Sequence, residues 1–198
     1  MQRVRFHFDV VSPYAWLAFA ALPQALEGVS HVVEYRPLLF AGLLRHWGQK
    51  APVDVAPKRD WIFRQCAWLA ARQGIAFAPP VPHPFNPLAL LRLALACTGA
   101  GDTPNRQVVE AVMRHVWDRG GADPNEPAAL QALQQRLAPR RAPAGDEVKA
   151  ELQALTAQAV ADGVFGVPSF QTDDGALFWG FDSLAMLRDH LLTNPAPA

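Results

Sequence analysis

The run Val164-Phe165-Gly166-Val167-Pro168-Ser169-Phe170 decides the fold when it is read with Asp9-Val10-Val11-Ser12-Pro13-Tyr14 near the other end of the chain. In the second stretch a strand ends at a residue suited to open a helix, since Ser is a favoured N-cap and Pro fits the first helical position. In the first stretch an apolar strand starts at a proline preceded by Val. An X-Pro bond is the one peptide bond that adopts cis at modest cost, so Val167-Pro168 is the place to expect it. A cis bond there removes one backbone N–H and turns the Val167 backbone towards a ligand lying along the strand end. Alone, the dipeptide reads as a trans proline opening an edge strand. With Ser12-Pro13 as its partner, the cis reading is preferred.

The totals narrow the class. At 198 residues the chain can bury a sizeable core. An apolar share of 51% against 18% charged excludes a disordered protein. The 18 basic and 18 acidic residues cancel, and no basic cluster stands out. Neither nucleic acid nor a membrane surface is therefore an expected partner. Arg3, Arg5, His7 and Asp9 alternate with Val4, Phe6, Phe8 and Val10, which is a strand period and not the apolar core of a signal peptide. The longest apolar stretch, 87–97, is cut by Arg92 and is too short to span a bilayer. Cys66 and Cys97 make no C-x-x-C and no Cys/His cluster of metal-ligand spacing, so no metal site is expected and both read as buried free thiols. The expected location is cytoplasmic.

Working outward, residues 3–11 predict a strand, followed by a helix to about Leu26 with Tyr14, Leu17, Ala18 and Ala21 on one side. His31 to Leu38 predicts a second strand, parallel to the first through a βαβ crossover. A helical block follows: a short helix over 41–47, a loop over 49–57, and a helix over 58–73 carrying Trp61, Ile62, Cys66, Trp68 and Leu69. Pro79, Pro80, Pro82, Pro84 and Pro87 exclude helix and central strand and predict a stiff extended wall. Helices are expected over 88–97, over a stripe formed by Val109, Val112, Met113, Val116 and Trp117, and over 127–137. Arg140 to Gly145 reads as the most flexible loop. A helix over 146–162 ends at Gly163 as a C-cap, and strands over 167–172 and 176–179 form a hairpin over Asp173-Asp174-Gly175. Asp182 is read as the N-cap of the last helix, before a fraying Pro-Ala tail. The order βαβ, helices, ββα is α/β: a thioredoxin-like fold (1–39 and 146–198) interrupted by a large all-α insertion (40–145).

The chain resembles the DsbA-like, kappa-class glutathione transferase family. The resemblance is carried by Phe8-Asp9 to Ser12-Pro13-Tyr14 with Leu17-Ala18, by Pro57-Lys58-Arg59, by Phe85-Asn86, by Gly163 to Phe170, and by Phe178-Trp179-Gly180-Phe181-Asp182. It implies glutathione as cofactor, a homodimer, and a glutathione-dependent isomerase acting on a small aromatic 2-oxo acid of naphthalene-type catabolism. It implies roles as well. Ser12 would be catalytic, and the Val167 backbone beside Pro168 would pair with the cysteinyl backbone of glutathione. Phe181 and Asp182 would hold its γ-glutamyl end and Lys58 its glycyl carboxylate. Asn86, Phe85, Trp47 and Tyr14 would line the substrate pocket.

The residues have plainer readings. A dithiol oxidoreductase of this architecture has Cys where this chain has Ser12 and Ala15, so disulfide exchange is absent and the thiol must come from outside. A helix N-terminus stabilises a nearby thiolate, and a Ser hydroxyl can donate to it. Ser12 is equally a common N-cap, Asp182 a common helix cap, and Lys58 an ordinary exposed lysine. Asn86 reads evenly as a turn residue before Pro87. Aromatics at helical spacing such as Trp47 and Trp61 are more often core. His46, His83 and His115 have no paired carboxylate at a recognisable spacing, so no general base is assigned. Arg45, Lys50 and Lys58 are the unranked cations for a substrate carboxylate, and Gln49 stands loosely where the family often has Asn. A kappa-like transferase or peroxidase, or a non-catalytic binding module, remains open, and the Trp-rich helix 58–73 is the candidate dimer surface.

Overall fold

Strand β1 (Gln2–Phe8) alternates so that Val4, Phe6 and Phe8 enter the core. The structure, a computed structural model, describes residues 1–194; the expected fraying of the Pro-Ala tail falls outside them. Helix α1 (Pro13–Ala25) leads to strand β2 (His31–Pro37), which pairs parallel with β1 and sets Phe6 opposite Tyr35. On its other side β1 pairs antiparallel with β3 (Ser169–Thr172), Phe6 facing Phe170, and β3 pairs with β4 (Leu177–Trp179). The sheet order is β2-β1-β3-β4. Phe6 stacks on Phe8 at 5.5 Å and on Phe170 at 5.0 Å, with Tyr35 edge-on at 6.0 Å.

Every element between β2 and β3 is helical: α2 (Phe40–His46), a 3-10 turn (Pro52–Asp54), α3 (Ala56–Gln73), α4 (Leu88–Ala96), α5 (Arg106–Trp117), α6 (Pro127–Leu137) and α7 (Asp146–Ala161). This is the thioredoxin-like α/β architecture with intervening helices expected from the sequence. The stripe on α5 is buried throughout, and one apolar cluster joins the sheet, α1 and α3 to α6. A smaller cluster joins Leu38, Leu43, Ala159, Val164 and Val167.

Several boundaries differ for local reasons. β1 stops at Phe8 because the Asp9 carboxylate accepts the Val11 N–H at 3.0 Å and bends the chain. α3 begins two residues early, with Pro57 in its first turn. The proline-rich segment bends at 81–84 and holds two further cis bonds, Val81–Pro82 and His83–Pro84, beside the expected Val167–Pro168. Asp182 does not cap the last helix: Phe181–Ser183 form a 3-10 turn, and α8 (Leu184–Thr193) follows with no side-chain cap. The segment 140–145 is anchored. Arg140 and Arg141 both donate backbone N–H groups to the Ala96 carbonyl, and the Arg141 guanidinium reaches Leu95, Thr98 and Glu151. The sequence shows two arginines near Pro and Gly; it does not show the carbonyls that wait for them.

Candidate active site

Strand register brings the two signature stretches together. His7 opposes Ser169 across the β1–β3 pair, so the residues after β1 lie beside those before β3. Ser12 sits in extended backbone as the N-cap of α1, its Oγ accepting the Ala15 N–H at 3.2 Å. That leaves the hydroxyl hydrogen free to donate, and it reaches the Val167 carbonyl at 3.4 Å, a long and weak bond. The Val167–Pro168 bond is cis, and the Pro168 carbonyl accepts the Gly180 N–H at 2.9 Å. Among the described residues the Val167 N–H has no acceptor. A peptide backbone therefore finds one free donor and one loosely held acceptor beside the Ser12 hydroxyl.

Asp9 holds this corner. Its carboxylate is fully buried and accepts both the Val11 N–H and, at 2.8 Å, the Phe40 N–H that opens α2. Burial pushes its pKa up to about 7 against those two bonds, which pull it down. A cleft of about 920 Å³ opens in front, walled by Tyr14, Ile62, Phe85, Phe165 and Trp179, with Arg45, Gln49 and Lys50 on one side. Gly166 is required here, since a Cβ would lie 2.5 Å from the Trp179 indole nitrogen. His83 also lines the cleft. Its Nε2 lies 2.8 Å from the Val11 carbonyl, and a carbonyl only accepts, so Nε2 carries the proton. Nδ1 is then a buried acceptor with no donor among the described residues. Burial holds the His83 pKa below its ordinary value and the ring neutral.

Two thiols lie outside the cleft lining, both free. Cys66 is fully buried and pushed up to about 12 by burial, with the nearby Tyr14 hydroxyl, which donates to Gln65 at 2.6 Å, opposing it weakly. Cys97 is half-buried, not fully buried as expected, and burial raises its pKa too. Among the described residues no three His, Cys, Asp or Glu side chains are placed to hold a metal ion, and no helix is long and apolar enough to cross a membrane.

The model of the DSBA-like thioredoxin domain matches residues 3–192. The chain belongs to this DSBA-like family. It is 27% identical over 199 residues to 2-hydroxychromene-2-carboxylate isomerase of Sphingobium xenophagum, covering 96% of this chain and 97% of that one. It is 24% identical over 206 residues to glutathione S-transferase kappa 2 of Caenorhabditis elegans, covering 95% and 91%. Its fold matches a solved 2-hydroxychromene-2-carboxylate isomerase with a TM-score of 0.82 at 20% identity, over 96% of this chain and 95% of that one.

In this DSBA-like chain Ser12, Tyr14, Phe85 and Val167 all meet at the cleft, with Pro168 directly behind Val167. The remaining expected residues lie outside it. Asn86 is exposed, and its Oδ1 accepts the Leu88 N–H at 3.1 Å, so it serves as the turn residue before α4. Trp47 points its indole N–H at the Val164 carbonyl, 2.9 Å away, and pins that loop from behind. Lys58 belongs to a neighbouring shallow hollow with Pro57 and Trp61. Phe181 and Asp182 stand on the 3-10 turn that packs against α1, and Asp182 is close enough to disfavour ionisation of Tyr14. Of the three candidate cations, Arg45 and Lys50 reach the cleft and Lys58 does not. Sequence reading assigns Asp9 no role of its own and leaves His83 unassigned as a base. The available signal was an acidic residue three positions before Ser12 and an imidazole set between prolines.

Proposed function

We propose that this chain is a glutathione-dependent isomerase that interconverts 2-hydroxychromene-2-carboxylate and trans-o-hydroxybenzylidenepyruvate, a step in aromatic catabolism. The carrying observation is the Val167 backbone, with its free N–H, beside a serine hydroxyl that caps α1 where a thiol would stand in an oxidoreductase. These residues fit glutathione. Its cysteinyl backbone would add along Val167 as an extra strand, and the Phe181–Asp182 turn would hold the γ-glutamyl end. Lys58, just outside the cleft, would meet the glycyl carboxylate at the rim. Bound there, glutathione would supply a thiolate able to add reversibly to a conjugated carbon, which would make a rigid double bond rotatable.

The chain's own groups do the rest. Ser12 gives up its long bond to Val167 and donates instead to the sulfur anion, while Ala15 keeps Oγ in place. The N-terminal end of α1 favours the same negative charge. Arg45 and Lys50 hold the substrate carboxylate, Phe85 and Tyr14 flank its ring, and the unpaired Nδ1 of His83 accepts a hydrogen bond from its hydroxyl. The exposed Trp61 and Trp68, each beneath an arginine, support a homodimer formed through α3.

The test is turnover of the chromene acid with and without glutathione, in wild type and Ser12→Ala. Dependence on both supports the reading, and equal rates in all arms refute it. The kappa relative gives a second reading, a transferase using the same thiolate. Faster turnover of chloro-dinitrobenzene or a hydroperoxide than of the chromene acid selects it. A melting temperature unmoved by glutathione removes both.

A further inference from the structure

Behind the wall formed by α2 lies a second cavity of about 530 Å³, between α2, α4 and α7. It is floored by Leu39, Leu88, Leu152 and Val160 and carries four basic side chains, Arg45, His46, Arg92 and Lys149, with no Asp or Glu in its lining. In a chain whose 18 basic and 18 acidic residues balance, that local surplus stands out. Arg92 comes from the first turns of α4 and donates to no acceptor among the described residues, and its Nε is buried without a partner. A buried guanidinium nitrogen with nothing to bond is costly, and proteins retain few of them. Among the described residues Lys149 is held only by the exposed Asp146, at 2.9 Å. The carboxylates of α7 that come next, Glu147 and Glu151, are both engaged by Arg141.

We propose that this cavity binds an amphipathic organic monoanion, a carboxylate carried on an aromatic or aliphatic body. The anion completes the hydrogen bonding of Arg92 with Lys149 at its side, and the apolar body covers the leucine floor. Inorganic phosphate satisfies only the first requirement, and a neutral analogue only the second. The proposal stands independently of the reaction assigned to the first cleft. Arg45 lines both cavities, so an anion in the second draws on a cation that the first also uses.

Calorimetric titration of the full chain with phenylacetate, inorganic phosphate and phenylacetamide tests this without any activity assay. Phenylacetate is expected to bind measurably and at least about tenfold more tightly than phenylacetamide, the worth of one charge-assisted hydrogen bond, and at least about tenfold more tightly than phosphate, the worth of burying its ring. Arg92→Gln is expected to weaken it by about tenfold or more, with Arg92→Lys recovering part of the loss. Lys149→Gln, a surface change that leaves the core intact, is expected to weaken it less. Lys50→Gln, which touches only the first cleft, is expected to leave the Arg92-dependent phase of the titration unchanged. Absence of phenylacetate binding overturns the proposal. So does equal binding of phosphate or phenylacetamide, or a loss confined to Lys50→Gln.

Discussion

Replacing Ser12 with Ala removes two distinct things, and their sizes differ enough to be read apart. The cap on α1 is one: Oγ accepts the Ala15 N–H at 3.2 Å, and losing an N-cap costs about 1 kcal/mol. For a chain of this length that lowers the melting temperature by about 2–4 °C. The 3.4 Å bond to Val167 adds little, being near the limit of a hydrogen bond. The other loss is the hydroxyl donated to a bound thiolate, worth about 1.5–3 kcal/mol. Converted at 1.36 kcal/mol per unit, that raises the pKa of the bound thiol by about 1–2 units and slows turnover by about 10- to 150-fold. Backbone N–H groups at the start of α1 remain, so the pKa stays below that of free thiol. Ultraviolet thiolate absorbance of the glutathione complex, titrated against pH, reads this directly. Ser12→Thr, which keeps a hydroxyl, is expected to restore most of it. If glutathione binds the alanine variant and its thiol titrates at the wild-type pH, the reasoning about Ser12 is wrong, whatever happens to the melting temperature.

Arg141→Leu, at a side chain only 12% exposed, abandons the Leu95 and Thr98 carbonyls and leaves Glu151 unpaired. A loss of about 3–5 kcal/mol in urea unfolding is expected, and less than about 1 kcal/mol would show that 140–145 is not an anchor. Gly166→Ala sets a Cβ 2.5 Å from the Trp179 indole nitrogen. The indole should leave the cleft wall, shifting tryptophan fluorescence and weakening glutathione binding by about tenfold, one hydrogen bond's worth. Unchanged affinity refutes that role for the loop. For Asp9, burial raises the folded pKa from 3.8 to about 7, so folding favours the protonated form. Its contribution to stability is fully present below 3.8 and lost as pH rises towards about 7. His7 opposes this: burial lowers it from 6.5 to about 4, and its contribution is lost as pH falls through that range. Asp9→Asn should remove the first slope and expose the second, giving a variant whose stability climbs with pH more steeply than wild type. Parallel profiles would refute the assignment.

What the sequence made legible was local. The alternation of Val4, Phe6 and Phe8, the Ser12-Pro13 helix start, the α5 stripe and the proline after Val167 each act within a few residues, and each is where the pattern places it. What stayed hidden depends on partners brought from afar. Asp9 matters because Phe40, 31 residues later, presents its N–H to the same carboxylate. Arg141 is fixed by carbonyls 43 and 46 residues before it. Trp47 has the spacing of a pocket aromatic, yet its N–H is claimed by Val164, 117 residues away. Asn86 went the other way: its side chain is satisfied two residues on, so the ordinary turn reading prevails. Of the charged residues near the cleft, only the fold separates Arg45 and Lys50 from Lys58, which is exposed on α3 and lines the neighbouring hollow instead.

The placement of the chain's two sulfurs has a practical consequence. Cys66 is sealed off with its thiol held protonated, and Cys97 is held protonated in the same way, so neither offers the anion that peroxides attack. On the proposed function, the sulfur the reaction needs is a soluble tripeptide's and neither of the chain's own. Under oxidative stress the protein should fall silent as the reduced tripeptide runs down, with both cysteines unmarked, and recover on resupply.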